Sequence, residues 1–326
     1  MELKNIAVLG PGGNVGRAII NEILKRDSHI KITAITRPTS EYTPPKGSDI
    51  THKTADYTSI KSLTEAFYKQ DAIVNCITGG ATQYEASKLI IDAAVAGDVQ
   101  FFFANEFVGY VDSPQYRRMP EAFIGSKVRI REYLAGLAAV GKIAWTSLNG
   151  GPFFDMWLMK GPAGFDVANR QARIYGTGNN NLFWTPLPII AQAAVSMLEA
   201  PTAVTNRPIY ICPFTKGELT QRTLLAALEK VLDATFSVEE VDVARINKHA
   251  KIALERGEAG RAMKGLAVSY QFFEDDSGND FSHLVTNDLV NVEMMGVEDA
   301  VRDAVAALGQ DSPIVEGMFR VEACEI

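Results

Sequence analysis

A short apolar run that ends at a glycine-rich turn and passes directly into an amphipathic segment constrains this chain more than any other feature. Ile6 to Leu9 is uniformly apolar, which is typical of a strand buried on both faces of a parallel sheet. From Val15 onward, apolar residues recur at helical spacing at Ala18, Ile19, Ile20, Ile23 and Leu24. The segment therefore predicts a strand, a tight turn and a helix in direct succession.

The turn between this strand and helix has glycines in the spacing G-x-x-G-x-x-G, with one additional glycine. In such a turn one glycine permits the turn itself, one lets the backbone approach a pyrophosphate, and one lets the helix pack closely on the strand. The segment predicts a dinucleotide site, although a ligand-free strand–turn–helix connection also uses glycine. The predicted nucleotide contacts here are Gly10, Gly12, Gly13, Asn14, Val15 and Gly16.

The end of the predicted second strand bears on which dinucleotide is bound. The strand runs from Ile32 to Thr36 and is followed directly by Arg37. In this fold an acid at that place bonds the ribose 2′-hydroxyl, whereas an arginine accommodates a 2′-phosphate. No acid occurs between Lys31 and Ser40. The sequence thus favours NADPH/NADP+ over NADH, with Thr36, Arg37 and Ser40 as phosphate contacts; the alternative is that Arg37 only begins a solvated loop.

Further strands and helices alternate through five strands, which predicts an α/β, Rossmann-type, doubly wound parallel sheet. The strand that starts at Ala72 ends at Thr78, and Gly79 and Gly80 follow it. Ligands bind at the carboxyl ends of such strands, so these three residues are predicted nucleotide contacts. Asp56 is suited to face the adenine, and equally suited to cap the helix that follows it.

A helix begins near Pro120, a residue that fits the first turn of a helix. Lys127 shares a face of this helix with Phe123, Ile124 and Arg131. A lysine amine beside apolar groups and a second cation loses proton affinity, which suits it to proton transfer near neutral pH. On periodicity alone an ordinary solvated lysine is the alternative, since most lysines lie at the surface.

Several segments of the chain resemble the isoflavone reductase, phenylcoumaran benzylic ether reductase and NmrA-like group of atypical short-chain dehydrogenase/reductases. They are the glycine-rich turn, the arginine after the second strand, the aromatic strand leading to Asn105-Glu106-Phe107, the helix segment Phe123 to Arg129, and the turns Asn149 to Phe154 and Gly176 to Asn179. The resemblance spans nearly the whole chain, although only the glycine turn and the lysine helix are specific motifs.

The resemblance implies a role for Lys127 as catalytic acid/base. Phe123 stands where conventional short-chain dehydrogenases have the tyrosine of Tyr-x-x-x-Lys, and a phenyl ring cannot transfer a proton. Val108 separates Phe107 from Gly109, where the reductases usually have Ser-Glu-Phe-Gly. Further nucleotide contacts implied by the resemblance are Asn105, Lys127, Pro152 and Phe153.

Aromatic residues are frequent beyond residue 150 in segments that resemble loops. Loops often carry binding function, and a flat or apolar ligand would use such side chains; the alternative is a satellite hydrophobic core. Segments 173–175 and 208–211 are predicted strands that return to the sheet, so a substrate region over 153–326 interleaves with a nucleotide-binding domain over 1–152. The predicted substrate contacts are Phe107, Tyr110, Phe154, Trp157, Phe183 and Trp184.

The composition excludes several classes of function. The net charge of −7 and the lack of a dense Lys/Arg cluster give no support for a nucleic-acid or anionic-membrane partner. No apolar stretch is long enough for a bilayer, and the first strand leaves no room for a signal peptide. Three widely spaced cysteines and four scattered histidines predict neither a disulfide framework nor a metal site. A reducing, cytoplasmic location is expected.

These features together predict an NADPH-dependent oxidoreductase. It would transfer hydride to a small, apolar substrate, such as an aromatic compound or a polyketide-like secondary metabolite. Lys127 would supply or remove the proton. The alternative is an NmrA-like, non-catalytic NADP(H)-binding sensor that reports redox state to a partner. The lysine argues against the sensor and Phe123 argues for it. The oligomeric state stays open, with a homodimer among the options.

Overall fold

The structure is a computed structural model that describes residues 1–26, 28–77, 83–121, 124 and 126–326. Its strands are β1 (Asn5–Leu9), β2 (Lys31–Thr36), β3 (Thr51–Thr54), β4 (Ala72–Asn75), β5 (Phe101–Ala104), β6 (Ala144–Asn149), β7 (Phe165–Asp166), β8 (Gln171–Tyr175), β9 (Arg207–Tyr210) and β10 (Ser237–Val241). Its helices are α1 (Asn14–Lys25), α2 (Ile60–Ala66), α3 (Tyr84–Ala96), α4 (Pro114–Arg117), α5 (Ser126–Ala139), α6 (Phe154–Lys160), α7 (Leu187–Glu199), α8 (Pro201–Val204), α9 (Gln221–Leu232), α10 (Val243–Glu255), α11 (Ala259–Phe272), α12 (Val297–Leu308) and α13 (Glu316–Phe319), with short 3₁₀ turns at Ser282–Leu284 and Asn287–Val290.

Within the described residues, seven strands form a central sheet in the order β3-β2-β1-β4-β5-β6-β9. Every neighbouring pair in this sheet is parallel. The chain first builds outward from β1 through β2 to β3 and then crosses back to β4, so the strand order reverses between β1 and β4. The predicted α/β, Rossmann-type doubly wound sheet is confirmed, and the reversal marks the crevice where such sheets bind ligands.

The side chains of the sheet alternate between two apolar layers. Phe102 of β5 packs in the layer that also holds Leu63 of α2 and Leu134 of α5. Its neighbours Phe101 and Phe103 pack in the opposite layer, together with residues of α1 and α7. Because both faces are covered, the inner strands β1, β4 and β5 are mainly apolar rather than alternating, whereas the edge strand β3 is polar and largely exposed.

The chain beyond β6 returns to this sheet. Helix α7 packs against α1, and β9, which covers most of the predicted strand at 208–211, pairs in parallel with β6. The predicted return of segment 173–175 is wrong. Its strand β8 pairs instead with β10 on one side and β7 on the other, and both of its edges are therefore used in a separate three-stranded sheet. The division at residue 152 stays a prediction.

Candidate active site

A cleft of 910 Å³ opens at the carboxyl ends of the first strands of the central sheet. The glycine turn after β1, the end of β2, the loop that follows it and the residues after β4 line the cleft. The strand order reverses between β1 and β4, and the cleft lies at this point of the sheet. Open α/β sheets bind nucleotides at such a place, so the fold itself positions a candidate cofactor site here.

Two positions of the glycine-rich turn can be occupied only by glycine. Gly10 has φ +72, and a Cβ there would lie 2.7 Å from the carbonyl oxygen of Cys76. A Cβ at Gly16 would lie 2.3 Å from the carbonyl oxygen of Gly10, so this glycine lets α1 begin directly against the turn. Gly12, by contrast, is exposed, and a Cβ there would meet only the ring of Tyr42 at 3.6 Å. The turn thus leaves open backbone at the start of α1, the shape that a pyrophosphate requires.

The far end of the cleft carries the residues predicted to contact a 2′-phosphate. Arg37 and Ser40 are exposed and line the cleft, as does Arg17. Thr36 also lines it but is buried, with its hydroxyl 2.9 Å from Nε2 of His52. The guanidinium of Arg37 is therefore better placed for an anion than the hydroxyl of Thr36, whose hydrogen bonding is already used within the sheet.

Asp56 does not line this cleft. Its carboxylate accepts hydrogen bonds from the backbone N–H and the hydroxyl of Thr58, at 2.9 and 2.7 Å, and these bonds lower its pKa. Helix α2 is capped by Ser59 instead, whose hydroxyl accepts from the N–H of Ser62. Asp56 therefore stabilises the turn ahead of the helix. The neighbouring Tyr57 does line the cleft and donates to the carbonyl of Ile35 at 2.7 Å.

Three of the predicted nucleotide contacts, Thr78, Gly79 and Gly80, lie outside the described residues, and so does Phe123 at the position of the missing tyrosine. The last described residue before the first three is Ile77, which lines the cleft. The nucleotide-contact predictions for these three residues stay predictions.

Lys127, in the first turn of α5, is buried with 8% of its surface exposed. Its amine donates to the carbonyl oxygen of Asn105 at 2.6 Å and lies 3.5 Å from Oδ1 of the same residue. The amide of Asn105 in turn donates to the carbonyl of Ile77 on the cleft wall. A continuous set of hydrogen bonds thus connects the buried amine to the edge of the nucleotide cleft.

Burial lowers the pKa of Lys127 to about 8, although the nearby Glu106 carboxylate acts in the opposite direction. The solvated alternative for this lysine therefore does not describe the structure. The predicted cause is also corrected. Arg131 does not act as a free second cation, because its guanidinium is bonded to Glu106 and to Asp112. Loss of solvation is the main physical reason for the low proton affinity.

Glu106 and Arg131 form a buried ion pair that the sequence reasoning missed. Nε of Arg131 donates to Oε1 of Glu106 at 2.8 Å, and a second guanidinium nitrogen donates to Oε2. Asn149, at the end of β6, adds a bond to Oε2 at 2.9 Å. Burial acts to raise the pKa of Glu106, but the Arg131 charge and these hydrogen bonds outweigh it and hold the pKa below its ordinary value. The helical spacing of Lys127 and Arg131 is visible in the sequence, whereas the partner 25 residues earlier is not.

The predicted substrate residues before residue 150 lie close to this pair. Phe107 has φ +43, an uncommon conformation for a phenylalanine, and its ring stacks on Phe103 with centroids 5.8 Å apart. Tyr110 is half-buried and makes edge contacts with the rings of Tyr210 and His283. The extra residue Val108 accepts a hydrogen bond through its carbonyl from Gly151 at 3.0 Å, which joins the two turns that follow β5 and β6.

The later predicted substrate residues are mostly core residues in this structure. Phe154 and Trp184 have 0% exposure and Phe183 has 3%, all in one apolar cluster. A side chain without accessible surface cannot contact a ligand in this conformation, so the satellite-core alternative describes Phe154 and Trp184, whereas the substrate contact of Phe183 stays a prediction. Trp157 is half-buried against the ring of Trp184. The predicted location in loops is wrong for Phe154 and Trp157, because both lie on α6.

The turn after β6 docks on the segment that leads to α7. Gly151 has φ +71, and a Cβ there would lie 1.7 Å from the carbonyl oxygen of Phe183. Pro152 accepts a hydrogen bond from the N–H of Thr185 at 3.1 Å, and Phe153 forms a parallel bridge with the same residue. Pro152 and Phe153 are half-buried, and they follow the sheet edge at which the cleft opens.

Membrane-spanning helices and metal-binding clusters are both absent from the described residues. Across the described residues, no helix combines the length and apolarity needed to span a membrane. In the same part of the chain, His, Cys, Asp and Glu do not form a group of three or more that could hold a metal ion.

Comparison with known proteins gives the nucleotide site a family context. Residues 10–155 match the family model described as NAD(P)H-binding. The chain is 26% identical over 300 residues to oxidoreductase aprR of Aspergillus flavus, covering 91% of this chain and 97% of the relative. It is 29% identical over 269 residues to oxidoreductase poxI of Penicillium oxalicum, covering 81% of each.

Solved structures share the fold at lower identity. A structure of AtPrR2 with NADP+ and (+)-pinoresinol superposes with a TM-score of 0.69 at 18% identity, covering 94% of this chain and 99% of that one. An isoflavone reductase structure gives a TM-score of 0.69 at 20% identity, covering 93% and 99%. The predicted resemblance, the binding of an NAD(P)H cofactor and the oxidoreductase class are thereby confirmed, and this chain is an NAD(P)H-binding oxidoreductase with the isoflavone reductase-like fold.

Proposed function

We propose that this protein is an NADPH-dependent reductase with Lys127 as its acid/base. Its substrate is a small, largely apolar molecule, either an aromatic compound or another secondary metabolite. The observation that carries this proposal is the environment of Lys127. Its amine is buried, has a pKa of about 8, and is connected through Asn105 to the wall of the nucleotide cleft. A proton donor of this kind at a nucleotide site has no use in a protein that only binds the cofactor.

The cleft fits a dinucleotide phosphate. In this proposal the open backbone of Gly12 and Gly13, with Asn14 at the start of α1, holds the pyrophosphate, and Arg37 with Ser40 holds the 2′-phosphate. The nicotinamide, when bound, supplies the hydride. The protein supplies the orientation of the reactants and the proton.

Lys127 performs the proton transfer in this proposal. With a pKa of about 8, its amine is mostly protonated at pH 7 and releases the proton more readily than an ordinary lysine does. The carbonyl of Asn105 accepts one of its N–H bonds and so fixes the direction of the amine. An N–H bond that Asn105 does not use remains for the substrate atom that gains negative charge on reduction, directly or through a water molecule.

The substrate is expected to lie near the turns that follow β5 and β6. Tyr110 and Trp157 keep accessible aromatic surface there, and Phe107 retains 8% of its own. The AtPrR2 structure, which shares the fold, holds NADP+ together with the small molecule (+)-pinoresinol, and this supports a small-molecule substrate beside the cofactor.

Isotope transfer tests the proposal even while the substrate is unidentified. NADPH deuterated at C4 on each face in turn is incubated with the protein and a metabolite extract, and label is followed by mass spectrometry. The variants are Lys127→Ala and, as a matched control, Lys142→Ala, which removes an exposed lysine. We expect label in one compound with the wild type and the control but not with Lys127→Ala.

The same experiment separates the reductase from the sensor. Label transfer that persists in Lys127→Ala while NADPH still binds would contradict the acid/base role. No transfer from either face by the wild type, with NADPH binding confirmed by fluorescence, would favour the NmrA-type sensor. A pull-down of a partner that depends on the NADP+/NADPH ratio would then identify what the sensor reports to.

A further inference from the structure

The buried ion pair beside Lys127 carries a second role that deepens the proposed function. Lys127 and Arg131 are one helical turn apart and so project from the same face of α5. The residues they contact, Asn105 and Glu106, are consecutive and follow directly after β5. Two side chains of one helix face thus bind two successive residues at the carboxyl end of one strand.

This double contact fixes the position of the amine. The bidentate bond between Arg131 and Glu106 sets how α5 lies along the end of β5. Asn149 binds the same carboxylate and ties the arrangement to β6. The turn itself is tight, because the N–H of Glu106 bonds to the carbonyl of Ala104, two residues earlier. Any movement of the pair would therefore move the carbonyl to which Lys127 donates.

Stability is a weak reason for this pair to exist. Glu106 has 2% of its surface exposed and Arg131 has 8%, and both groups lose hydration when they are buried. Buried ion pairs can often be replaced by apolar residues without loss of stability, because the desolvation cost is large. A role in the geometry and charge of the neighbouring site explains the pair better than a role in holding the fold together.

The charges around the pair favour a protonated amine. The titratable groups around the pair are Asp112 in the loop after β5, Tyr116 and Arg117 on α4, and Tyr210 at the end of β9; Arg117 binds Asp112 at 2.8 Å. Burial raises the pKa of Tyr210 to about 12 and also raises that of Tyr116, so both phenols stay neutral. Arg117 offsets Asp112 and Arg131 offsets Glu106, and the Glu106 carboxylate is the group that acts to keep the proton on Lys127.

We propose that Glu106 and Arg131 are positioning residues for Lys127: the pair fixes its amine against the Asn105 carbonyl, and the Glu106 carboxylate holds a proton on it. The role in catalysis rests on the proposed function, whereas the effect on the amine can be measured without any substrate.

The test is a direct titration of the Lys127 amine. Protein labelled with ε-¹³C lysine is titrated by NMR, and the Lys127 signal is the one missing from Lys127→Arg. Glu106→Gln keeps the size of the side chain and removes the charge. The matched control is Glu132→Gln, which removes a carboxylate on the same helix that is 64% exposed. We expect the titration midpoint to fall by about one pH unit in Glu106→Gln and to stay unchanged in the control.

A second variant tests the opposite sign. Arg131→Gln leaves the Glu106 carboxylate without its main counter-charge, so the Lys127 midpoint should rise. Each variant alone predicts the sign of a shift, so the inference stays testable where one of the two fails to fold. Equal midpoints in Glu106→Gln and Glu132→Gln, or a midpoint in Arg131→Gln that does not rise, would overturn it.

The outcome is distinguishable from a failure of the proposed function. Midpoints that shift as expected, together with unchanged label transfer in Lys127→Ala, would sustain the positioning role and reject Lys127 as the acid/base. Unshifted midpoints with label transfer that depends on Lys127 would reject the positioning role alone.

Discussion

The two halves of the candidate site are built in different ways. The nucleotide cleft is open and made largely of backbone, with glycines that leave room and with exposed cations at one end. The lysine site is buried and made of side chains of α5, of the two residues directly after β5, and of side chains at the ends of β6 and β9, and its charges offset one another. The first site depends on local chain conformation, and the second depends on long-range contacts. Each should therefore respond to a different kind of substitution.

The largest effect is expected from a methyl group in the glycine turn. In Gly16→Ala the added Cβ would lie 2.3 Å from the Gly10 carbonyl oxygen, so α1 or the turn must shift. Overpacking of this kind costs about 1–3 kcal/mol of stability. If the turn relieves this strain by leaving its pyrophosphate-binding shape, the same free energy is lost from binding, and NADPH affinity should fall by up to roughly 100-fold. NADPH fluorescence titration measures it.

The control for that variant lies on another helix. A methyl group added at Gly136 of α5 would have no neighbouring heavy atom within 4 Å, so Gly136→Ala should bind NADPH like the wild type. Equal affinities of Gly16→Ala and the wild type would show that the close packing of α1 on the turn is not required by the cofactor.

The lysine site should instead determine how the rate of turnover depends on pH. Lys127 has a pKa of about 8, so its amine is protonated below that pH and loses its proton above it. If the protonated amine is the donor, kcat/KM should be level below pH 8 and fall about tenfold per pH unit above it. Transfer of deuterium from labelled NADPH, followed between pH 6 and 10, measures this.

NADPH affinity should be nearly flat between pH 7 and 10, because the proposed cleft contacts are backbone groups, arginines and the Ser40 hydroxyl, none of which loses a proton in that range. A profile that is also level up to pH 10, with binding unchanged, would contradict proton donation by Lys127.

A smaller effect is expected at the exposed end of the cleft. Arg37→Ala removes a guanidinium that could bond the phosphate. A charge-assisted hydrogen bond is worth about 1.5–3 kcal/mol, and because Arg37 is exposed the lower end of this range applies, so NADPH affinity should fall roughly tenfold. NADH affinity should hardly change, since NADH lacks the 2′-phosphate. Parallel titrations of both cofactors, with the exposed Arg245→Ala on α10 as control, give the ratio. An equal loss for NADH and NADPH would reassign Arg37 to the solvated loop.

The contrast between the two sites also explains what the sequence could predict. The order β1, turn, α1 and the place of Arg37 after β2 are predictable because each depends on residues near one another in the chain. The doubly wound parallel sheet follows from the alternation of elements. The adenine contact predicted for Asp56 stays a prediction: its carboxylate binds its neighbour Thr58 in a local turn, which spacing alone does not distinguish from a ligand contact.

The lysine site is predictable only in part. Lys127 stands out through resemblance to the family. Its burial depends on packing between distant segments, which the periodicity of the sequence does not show. Glu106 stands out only as part of a motif, because its partners Arg131 and Asn149 lie 25 and 43 residues away. The aromatic residues Phe154 and Trp184 are predicted to line a pocket for a related reason: composition shows that aromatic surface must be covered, but not whether protein or ligand covers it.

The smallest effect concerns stability and has a sign that depends on pH. The pKa of Lys127 is about 8 in the folded protein, against an ordinary 10.5, so the unfolded chain binds the proton more tightly. At pH 7 the fold therefore bears the cost of a buried charged amine, and this cost disappears as the pH rises from 8 to 10.5. Lys127→Met should raise the free energy of unfolding at pH 7 by a net ~1 kcal/mol, since the lost hydrogen bond to Asn105 offsets part of the gain. Urea unfolding at pH 7 and pH 10 measures the difference, and the gain should be smaller at pH 10.

In the exposed control Lys142→Met, stability should change little at either pH. A gain for Lys127→Met that is the same at both pH values would show that apolar packing, and not the buried charge, sets the stability of this site.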